Sequence, residues 1–244
     1  MIIQLNQLPS DEPELNQSKL LRAFEMTIEY AEMNNGIGLT KSQAFNRKFA
    51  TWAAENFYWP EYSKEKLLRI QKVLNEEDVL PVMVIHDLME IMKLGRHMRD
   101  GFKLSKRAKV LAVDRGKLFA ELTQTYLFQY NHDRTSRYEF AAPGNWDIFL
   151  NVINVEAQQG LTEQHLVKTL YGYEHEDRIL DRQYHAHSGF LLTHVLRPLC
   201  WIGFLEAVRE TDNILERPVY WKTPLWSKCL TLDTDRYLET PTFN

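Results

Sequence analysis

The sequence is poor in cysteine, glycine and proline, and each scarcity excludes a class of protein. Its 244 residues include 2 cysteines, 10 glycines and 9 prolines. Two cysteines cannot staple a small secreted domain, and so little glycine and proline is not typical of a disordered chain. Because Cys200 and Cys229 each lie in an apolar neighbourhood, we interpret both as buried thiols in a reducing compartment.

A long uninterrupted apolar run is also missing. The longest run, residues 190–205, is broken by His194, Arg197 and Pro198 and is too short to span a bilayer. The first residues have neither the basic region nor the apolar core of an export signal. We therefore expect a cytoplasmic protein without a membrane partner.

The usual catalytic motifs do not occur in the sequence. It has no glycine-rich phosphate loop, no Gly-x-Ser-x-Gly nucleophile elbow and no His-Glu-x-x-His metal motif. Cys200 stands between Leu199 and Trp201, an apolar setting that disfavours a reactive thiolate. The sequence therefore favours a non-enzymatic binding protein, and it predicts no cofactor.

The sequence contains the same order of predicted secondary-structure elements twice. In the first half, apolar residues at helical spacing predict a helix over residues 19–34, which stops at a glycine. Thr40 can then cap a second helix that runs to Phe57. A strongly apolar third helix over residues 79–95 and a short extended segment over residues 101–106 complete this half.

The second half has the same order. A helix over residues 146–157 ends at a glycine, Thr162 can cap the next helix, and an apolar third helix covers residues 190–208. Extended residues 218–223 follow, and residues 174–187 predict one extra helix. Three helices and then a ribbon form the layout of a winged helix. The sequence therefore predicts a mainly α fold with two tandem winged-helix-like units and short β-ribbons.

These elements also predict domain limits. Helical spacing over residues 117–130 predicts a linking helix, and residues 132–144 have the polar composition of a boundary. We expect an N-terminal extension over 1–17, a first unit over 18–114, a linking helix and loop over 115–144, and a second unit over 145–244.

Three motifs carry a resemblance to a known group of proteins. They are IGLTKSQAFNRKF, LGRHMRDGFKLSKRAKVL and RPVYWKTPLWSKCLTL, in this order along the chain. With this order and spacing the sequence resembles a group of uncharacterised bacterial proteins known as plasmid ORF-3-like proteins. The resemblance covers most of residues 18–232, and it implies the tandem winged-helix-like architecture without implying an activity.

A local excess of basic residues is the strongest functional signal. The formal net charge is −4, yet lysine and arginine dominate residues 93–117. These cations fall on the first predicted ribbon and its flanks, where basic side chains can contact backbone phosphates. The candidate nucleic-acid-binding residues are Lys93, Arg96, Arg99, Lys103, Lys106, Arg107 and Lys109.

Sequence-specific reading by the third helix is not expected. Its polar residues are His86, Asp87, Glu90 and Lys93, and two of these are acids that phosphates repel. We therefore expect nonspecific contact with the nucleic-acid backbone. Two alternatives stay open: the basic stretch is a solvated face without a ligand, or the protein is a scaffold whose apolar helices and tryptophans bind a partner protein.

A metal site is the remaining candidate. On a helix, Asp177, Asp181 and His185 would share one face at four-residue spacing and could hold a divalent cation. Arg178 and Arg182 interleave with them, as they do in an exposed helix of mixed charge. A mixed-charge helix without a metal ion is therefore the alternative interpretation.

Overall fold

The computed structural model describes residues 3–135, 142–173, 181–211 and 216–238. It is mainly helical with small antiparallel sheets, which confirms the predicted class, while the winged-helix assignment stays a prediction. The chain divides into two compact units. We call Leu8–Tyr130 the N-terminal unit, and Met1–Gln7 together with Asn131–Asn244 the C-terminal unit.

The first strand of the chain belongs to the C-terminal unit. This strand, β1 (Ile3–Leu5), pairs with the last strand, which is β7 (Leu230–Leu232). The register places Ile3 opposite Leu232 and Leu5 opposite Leu230, and both leucines of β7 are buried. The two ends of the described chain therefore close one small sheet.

The N-terminal unit combines helices with one hairpin. Its hairpin, which we call the basic ribbon, consists of β2 (Gly95–Met98) and β3 (Gly101–Leu104). Ile37 extends the sheet by an isolated bridge to Phe102 of β3. The helices of this unit are α1 (Lys19–Met33), α2 (Arg47–Asn56), α3 (Lys64–Leu68), α4 (Leu80–Ile91), α5 (Lys106–Ala112) and α6 (Arg115–Phe128).

The second helix begins later than the sequence predicts. Thr40 does not cap it, because the Thr40 amide donates to the carbonyl oxygen of Ala44 in a turn. The side chain of Asn46 is the cap instead, since it accepts a hydrogen bond from the amide of Phe49 at 3.0 Å. The prediction for Thr40 is wrong because a local turn uses its backbone before a helix can start.

Helix α4 is enclosed on several sides. Apolar residues Val82, Ile85 and Met89 are buried, and the polar residues His86 and Asp87 are buried as well. The helix packs against α1 and α6. The expectation that this helix is buried on several sides is confirmed.

The helix that the sequence places in a linking segment packs within the N-terminal unit. Helix α6 contacts both α4 and α5, and its residues Leu118, Leu122 and Tyr126 are buried. Asp114 caps it by accepting the amide of Lys117 at 3.0 Å. The core of this unit therefore extends as far as Tyr130.

The C-terminal unit carries a three-stranded sheet. Its strands are β4 (Leu161–Thr162), β5 (Leu205–Val208) and β6 (Val219–Lys222), in the antiparallel order β4-β6-β5. Its helices are α7 (Trp146–Glu156), α8 (Glu163–Tyr171), α9 (Arg182–Phe190), α10 (Arg197–Ile202) and α11 (Pro224–Cys229), with a π-helical segment at Leu191–Leu196.

Two helix boundaries in this unit were predicted from the sequence, one correctly and one not. Thr162 caps α8 as predicted, because its hydroxyl accepts the amide of His165 at 3.2 Å. The helix predicted over residues 190–208 is too long, since α10 ends at Ile202 and residues 205–208 form β5. Gly203 ends the helix because its φ of 94° is left-handed, a conformation that glycine adopts without steric cost.

The two cysteines differ in burial. Cys229 is buried, and this burial raises the pKa of its thiol to about 12. Cys200 is only partly buried, so the expectation of two buried thiols holds for Cys229 alone. Neither residue is in a disulfide.

Among residues 3–135, 142–173, 181–211 and 216–238, no helix combines the length and the apolar character that crossing a bilayer requires.

In the N-terminal unit, Ser105 fastens the basic ribbon to α4. Lys93 follows α4 with a left-handed φ of 56°, and the Leu94 amide donates back to the Met89 carbonyl at 2.8 Å. The Ser105 amide donates to the Leu94 carbonyl and its hydroxyl donates to the Lys93 carbonyl, both at 2.9 Å. These two bonds join the end of β3 to the end of the helix.

In the C-terminal unit, Thr223 makes the equivalent pair of bonds. Its amide donates to the Phe204 carbonyl at 3.1 Å, and its hydroxyl donates to the Gly203 carbonyl at 2.6 Å. Gly203 is left-handed, as Lys93 is. In both units a hydroxyl residue after the second ribbon strand therefore binds the left-handed end of the preceding long helix.

Asn154 organises the interior of the C-terminal unit. Its side-chain oxygen accepts from Trp226 Nε1 and from Lys222 Nζ, each at 3.0 Å. Its amide nitrogen donates to Thr234 Oγ1 at 3.0 Å and to Asp235 Oδ1 at 2.8 Å. The pKa of Lys222 is lowered by burial, so its ammonium depends on these protein oxygens. One buried amide thus joins α7, β6, α11 and the turn at Asp233–Tyr237.

We expect Asn154→Ala to destabilise the C-terminal unit. Several buried donors and acceptors would lose a partner, which costs about 3 kcal/mol of unfolding free energy. Urea denaturation followed by tryptophan fluorescence measures the change. Gln159→Ala, at an exposed position nearby in sequence, is the control and should leave the stability unchanged. Equal stability of the two variants would contradict this role for Asn154.

We expect Ser105→Ala to destabilise the N-terminal unit. The hydroxyl donates to Lys93 and also caps α5 by accepting the Ala108 amide at 3.2 Å. Its loss should cost about 1–2 kcal/mol. The matched control is Ser63→Ala, because Ser63 stands at the N-cap of α3 without a side-chain capping bond. Thermal unfolding followed by circular dichroism compares them, and a loss as large in the control would argue against the proposed fastening.

Candidate nucleic-acid interface

The basic ribbon presents its cations through the alternation of strand residues. Along β2, Arg96 and Met98 are exposed while Gly95 and His97 are partly buried. Successive side chains of a strand point to opposite faces, so Arg96 faces solvent and His97 faces the unit. Arg99 is exposed in the two-residue turn between β2 and β3. Two guanidinium groups therefore stand at the exposed end of the ribbon.

Lys103 stabilises the ribbon itself. Its ammonium donates to the carbonyl oxygen of Asn35 and lies 2.9 Å from the carboxylate of Asp100. The hydrogen bond from Lys103 lowers the pKa of Asp100. Because both contacts lie within the unit, the charge of Lys103 is partly neutralised there.

The cations of α5 and its flanks also differ in whether a carboxylate of the unit neutralises them. Arg107 forms an ion pair with Glu121 of α6. Lys106 and Lys109 are exposed on α5, and Lys93 is exposed at the end of α4. None of these three lysines has a carboxylate within 4.0 Å in the described part of the chain.

The seven predicted residues therefore separate into two groups. Two of them, Lys103 and Arg107, neutralise carboxylates of the unit itself. The other five are exposed and, among the described residues, lack an ion-pair partner. We call these five the basic surface: Lys93, Arg96, Arg99, Lys106 and Lys109.

The structure describes two of the three residues of the predicted metal site. Asp181 caps α9, because one carboxylate oxygen accepts the amides of Gln183 at 2.7 Å and Tyr184 at 3.3 Å. His185 is exposed on the first turn of that helix. Asp177 lies outside the described residues, so this site stays a prediction. The extra helix predicted over 174–187 is described only from Arg182, where α9 begins.

The fold brings together one cluster of metal-ligating side chains that the sequence did not indicate. His86, Glu90 and His97 each offer one ligand atom, and these atoms lie within 4.8 Å of one another. His86 and Glu90 are four residues apart on α4, a spacing that could have signalled a pair. Nothing in the spacing indicated His97, because only the fold of the hairpin brings β2 beside α4.

Comparisons with known proteins agree with the division into two units. Residues 16–117 match the family description "Y4jL N-terminal domain", and residues 136–224 match "y4jL C-terminal domain". A protein of Sinorhizobium fredii named "Uncharacterized protein y4jL" is 37% identical over 161 residues, covering 64% of this chain and 72% of that protein. No solved structure matches the chain.

These matches show which family the chain belongs to. The resemblance to plasmid ORF-3-like proteins stays a prediction, since none of the matches carries that description. Both family domains occur in this chain, in order, and the bacterial relative is matched over most of its length. The chain therefore belongs to the bacterial Y4jL family.

Proposed function

We propose that this protein binds the nucleic-acid backbone through the basic surface, without reading sequence. The observation that carries the proposal is the presence of five exposed cations without local carboxylate partners on a chain whose net charge is −4. A segregated patch of this kind attracts phosphates although the whole chain is acidic. The role is that of a non-enzymatic binding protein.

A winged-helix-like architecture for both units is part of this proposal. In the N-terminal unit, Ile37 bridges β3, so β3 lies between this segment and β2. In the C-terminal unit, β6 lies between β4 and β5. Each ribbon also follows a long helical segment and is fastened to it by a hydroxyl residue. These shared features support two tandem units of one design.

Burial of α4 favours backbone contact over base recognition. A helix that reads the major groove needs an exposed polar face. On α4 the exposed positions are Glu90 and Ile91, an acid and an apolar residue. The ribbon is therefore the better candidate for contact, because Arg96 and Arg99 can reach phosphates without entering a groove.

Binding should depend steeply on salt, and removing two cations should reduce this dependence. Each phosphate contact releases a counterion and contributes about 0.9 to the slope of log affinity against log salt concentration. We expect the double substitution Arg96→Gln and Arg99→Gln to lower that slope by about 2. Fluorescence anisotropy with a mixed-sequence DNA duplex, repeated over a series of salt concentrations, measures it.

The control for this experiment has the same change in charge at another place. Lys66→Gln with Lys72→Gln removes two exposed lysines near α3. This pair should leave the slope close to that of the unmodified protein. No binding at low salt, or equal slopes for the two double variants, would refute the role of the basic surface.

A protein partner is the second candidate, and one feature of α5 favours it. Val110 and Val113 are exposed at 74% and 85%, which is unusual for two neighbouring apolar side chains. Helical spacing places them on the same face as Lys106 and Lys109. A partner held by these valines would tolerate high salt, whereas a nucleic acid would not. Salt dependence therefore also separates the two candidates.

A further inference from the structure

Two histidine rings meet where α4 approaches the basic ribbon. Nε2 of His86, on α4, lies 2.8 Å from Nε2 of His97, on β2. The rings are nearly perpendicular, with an interplanar angle of 85°. The two Nε2 atoms therefore face each other at hydrogen-bond distance.

Glu76 and Phe45 hold the His86 ring in position. Its carboxylate oxygen lies 2.9 Å from His86 Nδ1 and also accepts the backbone amide of Phe45. The phenyl ring of Phe45 stacks on the imidazole, with centroids 3.8 Å apart. A carboxylate oxygen can only accept a hydrogen bond, so the contact with Glu76 occupies Nδ1 and leaves Nε2 directed at His97.

Glu90 gives His97 a similar carboxylate neighbour. Its Oε1 atom lies 3.4 Å from His97 Nδ1. Glu90 follows His86 by one helical turn, so both side chains project from the same face of α4. His86, Glu90 and His97 each offer one ligand atom, and these atoms lie within 4.8 Å of one another.

Hydrogen bonds between neutral side chains do not satisfy this arrangement. If His97 Nε2 donates to His86 Nε2, the neutral His97 ring has a lone pair on Nδ1. That lone pair then faces the carboxylate of Glu90, which is also an acceptor. A metal ion bound by these side chains would remove the conflict, because it accepts a lone pair from each of them.

We propose that His86, Glu90 and His97 bind one divalent transition-metal ion of the zinc class. Two imidazole nitrogens and one carboxylate oxygen form a ligand set that suits zinc, with a position left for water. Glu76 would hold the Nδ1 atom of His86, as carboxylates commonly hold the second nitrogen of metal-binding histidines. The His86 side chain is 6% exposed and the Glu90 side chain 47% exposed, so the site is anchored in the core and open to solvent.

The distance between the two histidine nitrogens requires only a small adjustment on binding. Zinc–nitrogen bonds of about 2.0–2.1 Å place two tetrahedral ligands about 3.3 Å apart. The two Nε2 atoms must therefore separate by about half an ångström. His97 can supply this movement because it is on the ribbon and its side chain is 29% exposed, whereas Phe45 and Glu76 hold His86.

Metal binding at this cluster would join α4 to β2. It would stabilise the N-terminal unit, because a ligand that binds only the folded state shifts the unfolding equilibrium. The ligand residues are distinct from the basic surface. The site can therefore be tested without nucleic acid, and its success or failure is independent of the proposed function.

The test measures zinc binding to the whole 244-residue chain, prepared without a histidine tag. Isothermal titration should show one saturable zinc ion per chain and a rise in melting temperature. His97→Gln and Glu90→Gln should each weaken zinc binding about tenfold or more, with the larger loss for His97. Circular dichroism without zinc establishes that each variant is folded.

Two histidine variants outside the cluster are the matched controls. His165→Gln removes a surface histidine that also pairs with a glutamate, Glu156. His185→Gln removes an exposed histidine of the other predicted metal site. Both should bind zinc as the unmodified protein does.

Three results would overturn the proposal. They are the absence of saturable zinc binding, unchanged affinity in the His97 variant, and a loss of affinity in the His185 variant that the cluster variants do not share. If the His97 variant does not fold, Glu90→Gln decides, since it only neutralises a half-exposed side chain. Unchanged zinc affinity in the Glu90 variant would then refute the site.

Discussion

Both units depend on a hydroxyl residue that ties a ribbon to the end of a helix. Ser105 and Thr223 each donate an amide and a hydroxyl hydrogen to the two carbonyls that follow a long helical segment. Carbonyls at a helix end have no intrahelical donors, so these bonds satisfy groups that otherwise need water. These bonds hold the ribbon in a fixed position on the helix, and they therefore also position the side chains of the ribbon.

The N-terminal unit uses the two faces of one strand for different chemistry. On β2 the exposed Arg96 contributes to the basic surface, while His97 points toward α4 and meets His86. Successive side chains of a strand point to opposite faces, so these two adjacent residues of β2 have different surroundings. Burial divides α4 as well: its interior side carries His86, which Glu76 holds, and its exposed positions are Glu90 and Ile91.

The errors in the predicted elements share one physical cause. Thr40 and Asn46 are both good capping residues, and the choice between them depends on the turn and the bridge between Leu39 and Phe45. The apolar run that includes Gly203 is compatible with a helix throughout, yet a left-handed glycine divides it into helix and strand. In both places a short-range backbone feature, a turn or a left-handed glycine, decides where the helix begins or ends.

The sequence by itself determined the mainly helical class, the capping of α8 by Thr162, the apolar character of α4 and the concentration of cations near the ribbon. These follow from residue periodicity, local hydrogen bonding and composition, which act over a few residues. Only the tertiary structure decided that Lys103 and Arg107 are neutralised within the unit and that His97 meets His86. Ion pairs and ligand clusters need atoms brought together from separate elements, and a linear spacing does not specify that approach.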